Sequence, residues 1–133
     1  MADAHSSGAL NVLVVDDDGG MRTLISRMLK RMKIDHVIEV ESGQQALERL
    51  SAAPGAVSIV ICDWNMPGMS GMDLFRQVHA STPKLPFLML TGRGDLDSVV
   101  AARKAGVHGY LLKPVSPLQL QAKIASLLGA AQG

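Results

Sequence analysis

One apolar run constrains this chain more than any other feature. Val57 and then Ile59-Val60-Ile61-Cys62 form a short stretch of β-branched and small apolar residues that delivers Asp63 and turns through Trp64-Asn65-Met66-Pro67-Gly68. A continuous apolar run with no polar alternation reads as a strand buried on both faces, the pattern of a parallel sheet sandwiched between helices. Pro67-Gly68 ends it. Open α/β sheets place ligands and chemistry at the carboxyl ends of their central strands, so a carboxylate there marks Asp63 as a candidate functional group.

The rest of the chain alternates strand and helix signals around that run. Leu10 to Val15 reads as the first strand, ending on Asp16-Asp17-Asp18, and His36 to Val40 as the second. Pro86 to Leu90 is the fourth, finishing at Thr91-Gly92, and Gly109 to Leu112 the fifth, delivering Lys113-Pro114. Between them, Met21, Leu24, Ile25, Met28, Leu29 and Met32 repeat at the spacing of a helix with one buried face, leaving Arg22, Arg27, Lys30 and Arg31 outside. Ser42 and Ser70 are placed to cap the next two helices, which bury Ala46, Leu47 and Leu50, and Leu74, Phe75 and Val78. A fourth helix starts near Asp95, turns Leu96, Val99 and Val100 inward and stops at Ala105-Gly106. Ser116-Pro117 opens the last, with Leu120, Ile124, Leu127 and Leu128 inward. Five strands alternating with five helices predict one α/β domain with a parallel sheet covered on both faces. Residues 1–8 read as a flexible N-terminus, 9–129 as the domain and 130–133 as a flexible C-terminus.

Composition narrows the function classes. A chain of 133 residues with 47% hydrophobic content suits one globular domain. A formal net charge of +1 and no long basic run argue against a dedicated nucleic-acid or membrane-surface binder. No apolar stretch approaches the roughly 18 residues of a membrane span, and the polar start lacks a signal-peptide core, so the expected location is the cytoplasm. Cys62, the one cysteine, sits in the buried run and reads as core filler.

In a parallel sheet the carboxyl ends of the strands share one edge. Asp16 and Asp17, Asp63, Thr91 and Lys113 therefore converge. Clustered carboxylates repel unless a cation sits among them, and magnesium is the natural one: a hard ion that takes oxygen ligands and retains several waters. His5, His36, His79 and His108 are scattered without ligand spacing, which argues against zinc. A carboxylate beside a divalent ion, a lysine and a hydroxyl can attack phosphorus. Asp63 would attack, the metal and Lys113 would screen the phosphoryl oxygens, and Thr91 would donate a hydrogen bond to one of them, giving an aspartyl phosphate.

Val14-Val15-Asp16-Asp17, Asp63-Trp64-Asn65-Met66-Pro67-Gly68, Thr91-Gly92 and Gly109-Tyr110-Leu111-Leu112-Lys113-Pro114 together resemble the receiver domain of two-component response regulators, of the single-domain, CheY-like kind seen in chemotaxis. The resemblance spans about Leu10 to Leu128. It implies a flavodoxin-like fold of strand order 2-1-3-4-5 and phosphoryl transfer to Asp63 from a histidine kinase or histidine phosphotransfer protein. It also implies magnesium held by Asp17, Asp63 and the Asn65 main-chain carbonyl, with Asp16 acting through water. Thr91 and Tyr110 become the switch, altering the face formed by the fourth helix, fifth strand and fifth helix. The Lys113-Pro114 bond is expected to be cis, and the basic face of the first helix to dock the kinase or a phosphotransfer domain.

Some residues depart from the family's commonest pattern. Gly92 stands where alanine is frequent, and Val115 where phenylalanine often follows the Lys-Pro pair. Asn65 and Arg93, each two residues past a site position, are placed to tune the lifetime of the phosphoryl group. Asp18 reads as a solvated loop acid. The expected function is thus a signalling module that catalyses only its own phosphorylation and dephosphorylation and then binds an unknown downstream protein. An alternative is a magnesium-dependent phosphohydrolase with an aspartate nucleophile, which needs a second acid two residues later, where this chain has Asn65. A nucleotide or flavin carrier would need a glycine-rich phosphate cradle that the sequence lacks.

Overall fold

Which strands lie side by side decides whether the acids meet. A computed structural model describes residues 10–92 and 96–132. The expected N-terminal segment 1–8, together with Arg93 and Asp95, lies outside the described residues. Elements run β1 (Asn11–Val15), α1 (Gly19–Arg31), β2 (His36–Val40), α2 (Gly43–Ala52), β3 (Ile59–Asp63), α3 (Gly71–Ser81), β4 (Phe87–Thr91), α4 (Leu96–Ala105), β5 (Gly109–Leu112) and α5 (Pro117–Gln132). All neighbouring strands pair in parallel, in the order β2-β1-β3-β4-β5. The chain leaves β1 outward to β2 and returns on the other side at β3, so the order reverses between β1 and β3. A crevice opens at the carboxyl ends of strands on either side of such a reversal.

Alternation along each strand divides the interior into two layers, because successive side chains point to opposite faces. Val12, Val14, Ile59, Ile61, Leu88, Leu90 and Leu111 face α1 and α5, where Ile25, Leu29, Leu120 and Ile124 cover them. Leu13, Val15, Val60, Cys62, Phe87 and Met89 face the other way, onto Ala46 of α2 and Leu74, Phe75 and Val78 of α3. The three central strands are buried along both faces, as the unbroken apolar run at 59–62 requires.

The helix ends follow their side-chain chemistry. Ser42 Oγ accepts from the Gln45 amide, and Ser70 forms a reciprocal box with Asp73, each side chain accepting from the other's backbone N–H. Gly106, at φ 93°, ends α4 in the left-handed region that favours glycine. Ser116 accepts from Gln119 N–H and Pro117 takes the first helical position of α5, which runs on to Gln132.

Inward assignments fail in two helices, at three residues. Leu24 flanks the buried stripe of α1 and is exposed, with Ile25, Met28 and Leu29 doing the packing. In α4 the phase is reversed: Leu96 is 75% exposed and Val100 is also exposed, while Ser98 and Ala102 are buried. Val99 is half-buried. A helix whose small residues face the sheet packs closely and leaves its larger ones outside. The sequence of α4 is apolar on several sides, so periodicity alone does not select the face.

Candidate functional site

Beyond β1 the backbone leaves the sheet through an acidic loop that its own side chains organise. Asp16 N–H still donates to Val40 C=O at 3.2 Å, continuing the ladder. Asp16 Oδ1 then accepts from Asp18 N–H at 2.9 Å. Asp18 is the N-cap of α1, its Oδ1 accepting from Gly20 N–H at 2.9 Å and Met21 N–H at 3.3 Å. Its role is therefore to start the helix, which an aspartate just ahead of an amphipathic stripe could have signalled.

The strand registers carry the other groups to the same edge. Asp63 ends β3 opposite Leu90, and Thr91 ends β4 opposite Leu112. Trp64 N–H donates to Leu90 C=O at 2.8 Å, and Lys113 N–H to Thr91 C=O at 2.8 Å, so both ladders extend one residue past the strands and aim the flanking side chains. The Lys113-Pro114 peptide is cis, as expected. Lys113 Nζ lies 2.9 Å from Asp63 Oδ1 and 3.7 Å from Asp16 Oδ2. Carboxylate oxygens of Asp16, Asp17 and Asp63 fall within 4.8 Å of one another, Asp17 exposed and the other two buried.

Burial sets the electrostatics. Loss of water pushes the Asp16 carboxyl above its ordinary pKa; the Asp18 amide opposes this, and the charge on Asp63 adds to it. Burial alone would pull the Lys113 ammonium down, but its hydrogen bond to Asp63 and the charges of Asp16 and Asp63 outweigh that and leave it above its usual value. Asp16 Oδ2 is buried without a hydrogen bond. An all-oxygen donor set around an unsatisfied carboxylate oxygen fits a hard divalent ion such as magnesium, and among the described residues neither cysteine nor histidine joins the cluster.

The remaining expected residues surround this group. Thr91 is fully buried at the end of β4. Asn65 is exposed in the turn after β3, which Gly68 closes at φ 74°. Tyr110 is half-buried on the α3 face of the sheet, its ring set edge-on to Trp64 with centroids 6.2 Å apart. Gly71 brings the first turn of α3 against the strand end, donating from its N–H to Trp64 C=O at 2.8 Å. A Cβ at Gly71 would meet Asp63 O at 2.5 Å, so only glycine lets the helix approach.

One expectation is corrected. Arg22 does not belong to the outer basic face of α1: its side chain is only 19% exposed and folds back onto the Asp16 carbonyl, Glu39 and Glu41. Arg27, Lys30 and Arg31 do lie outside.

A doubly wound sheet with paired acids, a lysine and a buried threonine at its carboxyl edge defines a phosphoryl-accepting signalling domain, and the sequence profile of the response regulator receiver domain matches residues 12–125. The chain belongs to that family, and its function is that of a two-component response regulator. It is of CheY type: it is 39% identical over 122 residues to chemotaxis protein CheY1 of Helicobacter pylori, covering 90% of this chain and 98% of that protein. It is 38% identical over 126 residues to the CheY homolog of Campylobacter jejuni, covering 93% of this chain and 96% of the relative. Among solved structures, a receiver domain protein from Clostridium thermocellum superposes with a TM-score of 0.86 at 31% identity, over 92% of this chain and 97% of that one. CheY4 of Vibrio cholerae superposes with a TM-score of 0.80 at 28% identity, over 89% of this chain and 98% of that one. Among the described residues, no helix is long and apolar enough to cross a membrane.

Proposed function

We propose that this protein acts in the cytoplasm and that Asp63 is the residue that takes up the phosphoryl group, from the phosphohistidine of a histidine kinase or histidine phosphotransfer protein. The observation that carries this reading is the contact of Lys113 Nζ with Asp63 Oδ1 at 2.9 Å beside two further carboxylates. In the transfer, an Asp63 oxygen forms the O–P bond as the N–P bond of the donor breaks, its electron pair leaving with the imidazole nitrogen. Lys113 holds a positive charge at the reacting carboxylate and follows one phosphoryl oxygen. The Thr91 hydroxyl donates a hydrogen bond to another.

Asp17, Asp63 and the main-chain carbonyl of Asn65 would hold magnesium, with Asp16 acting through water. Bound there, the ion supplies positive charge against the phosphoryl oxygens. Asn65 has no acidic proton to give a leaving group, which argues against a general phosphohydrolase. We read the domain as catalysing only its own phosphorylation and dephosphorylation, with Asn65 and Arg93 setting how long the phosphoryl group survives.

The added charge, roughly 1.5 to 2 negative units, draws Thr91 toward it and lets Tyr110 turn, changing the face of α4, β5 and α5. Support for an output there comes from large apolar side chains that those elements leave exposed: Leu96, Val100, Leu112 and Leu118. The relatives named as chemotaxis proteins suggest that the downstream protein belongs to such a pathway. Arg27, Lys30 and Arg31 form the outer basic face of α1 on which the kinase would dock.

Incubation with a small phosphodonor and magnesium tests the reading. The wild type should gain one hydroxylamine-labile phosphoryl group per chain and Asp63→Asn none. Rapid, continuous release of phosphate with no phosphoprotein accumulating would turn the assignment to the hydrolase.

A further inference from the structure

Arg22 is the least exposed of the basic residues expected on the outside of α1, and its partners explain why. Its Nη1 donates to the Asp16 main-chain carbonyl at 2.7 Å. Its Nε lies 3.6 Å from Glu39 Oε1 on β2, and its Nη2 lies 4.0 Å from Glu41 Oε2 just beyond that strand. Glu39 is itself held from α1, accepting from Ser26 Oγ–H at 2.8 Å. A Cβ at Gly19 would sit 3.4 Å from Arg22 Nη2, so the guanidinium lies over the open face of the loop's first glycine.

The Asp16 carbonyl belongs to the same planar peptide as the Asp17 N–H. Fixing that carbonyl fixes the plane from which the Asp17 side chain departs. Asp16 and Asp63 are gripped from elsewhere, by Asp18 N–H and Lys113, but Asp17 is exposed and its carboxylate has no hydrogen bond among the described residues. Its direction rests on its backbone.

We propose that Arg22 is a positioning residue for the magnesium site: by clamping the Asp16–Asp17 peptide to the end of β2, it aims the Asp17 carboxylate at the ion. This rests on the reading that Asp17, Asp63 and the Asn65 main-chain carbonyl hold magnesium, with Asp16 acting through water.

The sign of the effect separates positioning from charge. Arg22 is a cation near a site for a cation, so removing its charge should tighten magnesium binding if only electrostatics counted. If Arg22 positions, the same change loosens binding, by about tenfold or more, as loss of a supporting contact to a metal ligand usually does. The test is titration with magnesium chloride, followed by the fluorescence of Trp64 and by calorimetry, on the wild type, Arg22→Gln and Arg22→Lys, with thermal melts to show that each is folded. Both variants should bind magnesium more weakly, Arg22→Lys included, because an ammonium keeps the charge but cannot span the carbonyl and Glu39 at once. Unchanged or tighter binding in Arg22→Gln would overturn the proposal. If Arg22→Gln does not fold, Arg22→Lys decides it by the same criterion. A wild type that binds no magnesium, or an Asp17→Asn variant that binds it as the wild type does, would instead overturn the metal reading beneath.

Discussion

A single methyl group at Gly71 should disturb both stability and the site. A Cβ there would lie 2.5 Å from the Asp63 carbonyl oxygen, 2.8 Å from Met89 Sδ and 2.9 Å from Trp64 Cα. Two of the three obstacles are backbone, and the third belongs to a fully buried side chain. Relief requires the strand end and the helix start to part by roughly 1 Å. That motion opposes two hydrogen bonds of 2.8 Å, from Trp64 N–H to Leu90 C=O and from Gly71 N–H to Trp64 C=O. Overpacking of this kind costs about 1–3 kcal/mol, and alanine's smaller loss of backbone freedom returns about 0.5–1 kcal/mol. The net loss is centred a little above about 1 kcal/mol and reaches at most about 2.5 kcal/mol, a fall in Tm on the order of 5 °C. Because the displaced atoms carry Asp63, a misplacement near 1 Å should also slow phosphoryl uptake by up to about 100-fold. Thermal melts and the rate of labelling by a small phosphodonor measure the two effects. Gly92→Ala is the contrast: among the described residues nothing lies within 4 Å of its added Cβ and its φ is not left-handed, so stability should hold or rise by up to about 1 kcal/mol. A Gly71→Ala protein that melts and labels like the wild type would refute the packing argument.

Other outcomes follow from the same geometry. Magnesium should raise the Tm of the wild type, increasingly with concentration, and this gain should vanish in Asp17→Asn; calorimetry with and without a chelator checks it. His108, an exposed residue, has its pKa lowered, by partial loss of water first and then by His79, whose ring centroid is 5.9 Å away. The folded state therefore takes up the proton less readily than the unfolded one: the contribution is full above the ordinary histidine value near 6.5 and is lost as pH falls through the lower folded value. Urea midpoints of the wild type should drop across that window, and His108→Gln should drop less; equal slopes would contradict this. Arg93→Ala should change the decay rate of the phosphoprotein without preventing its formation, read by chasing the label after the donor is removed.

How much of this was legible in the residues varies with the kind of signal. The three central strands were readable because apolar runs buried on two faces leave no polar alternation to confuse them, and the spans of the edge strands β2 and β5, 36–40 and 109–112, agree with the structure at both ends. Their carboxyl ends carried the chemistry, so a parallel sheet sufficed to bring Asp16, Asp17, Asp63 and Lys113 together. Helical phase was harder. Ser98 and Ala102 bury no large apolar surface, so hydrophobicity pointed to Leu96 and Val100 instead, and close packing of small residues decided otherwise. Arg22 was misplaced for a related reason: a long side chain at the edge of a helix can snorkel outward or fold back, and only the positions of the Asp16 carbonyl and Glu39 select between them. Gly71 gave no sign at all, since a close approach between a helix and a distant strand end is invisible along the chain.

Mapping the phosphoryl group tests the central claim most directly. After labelling with a small phosphodonor and magnesium, borohydride reduction converts an aspartyl phosphate to homoserine, and peptide mass spectrometry locates the change. The account predicts one modified residue, at Asp63, absent from Asp63→Asn. A modification at Asp16 or Asp17 in the wild type, or unchanged labelling of Asp63→Asn, would contradict it.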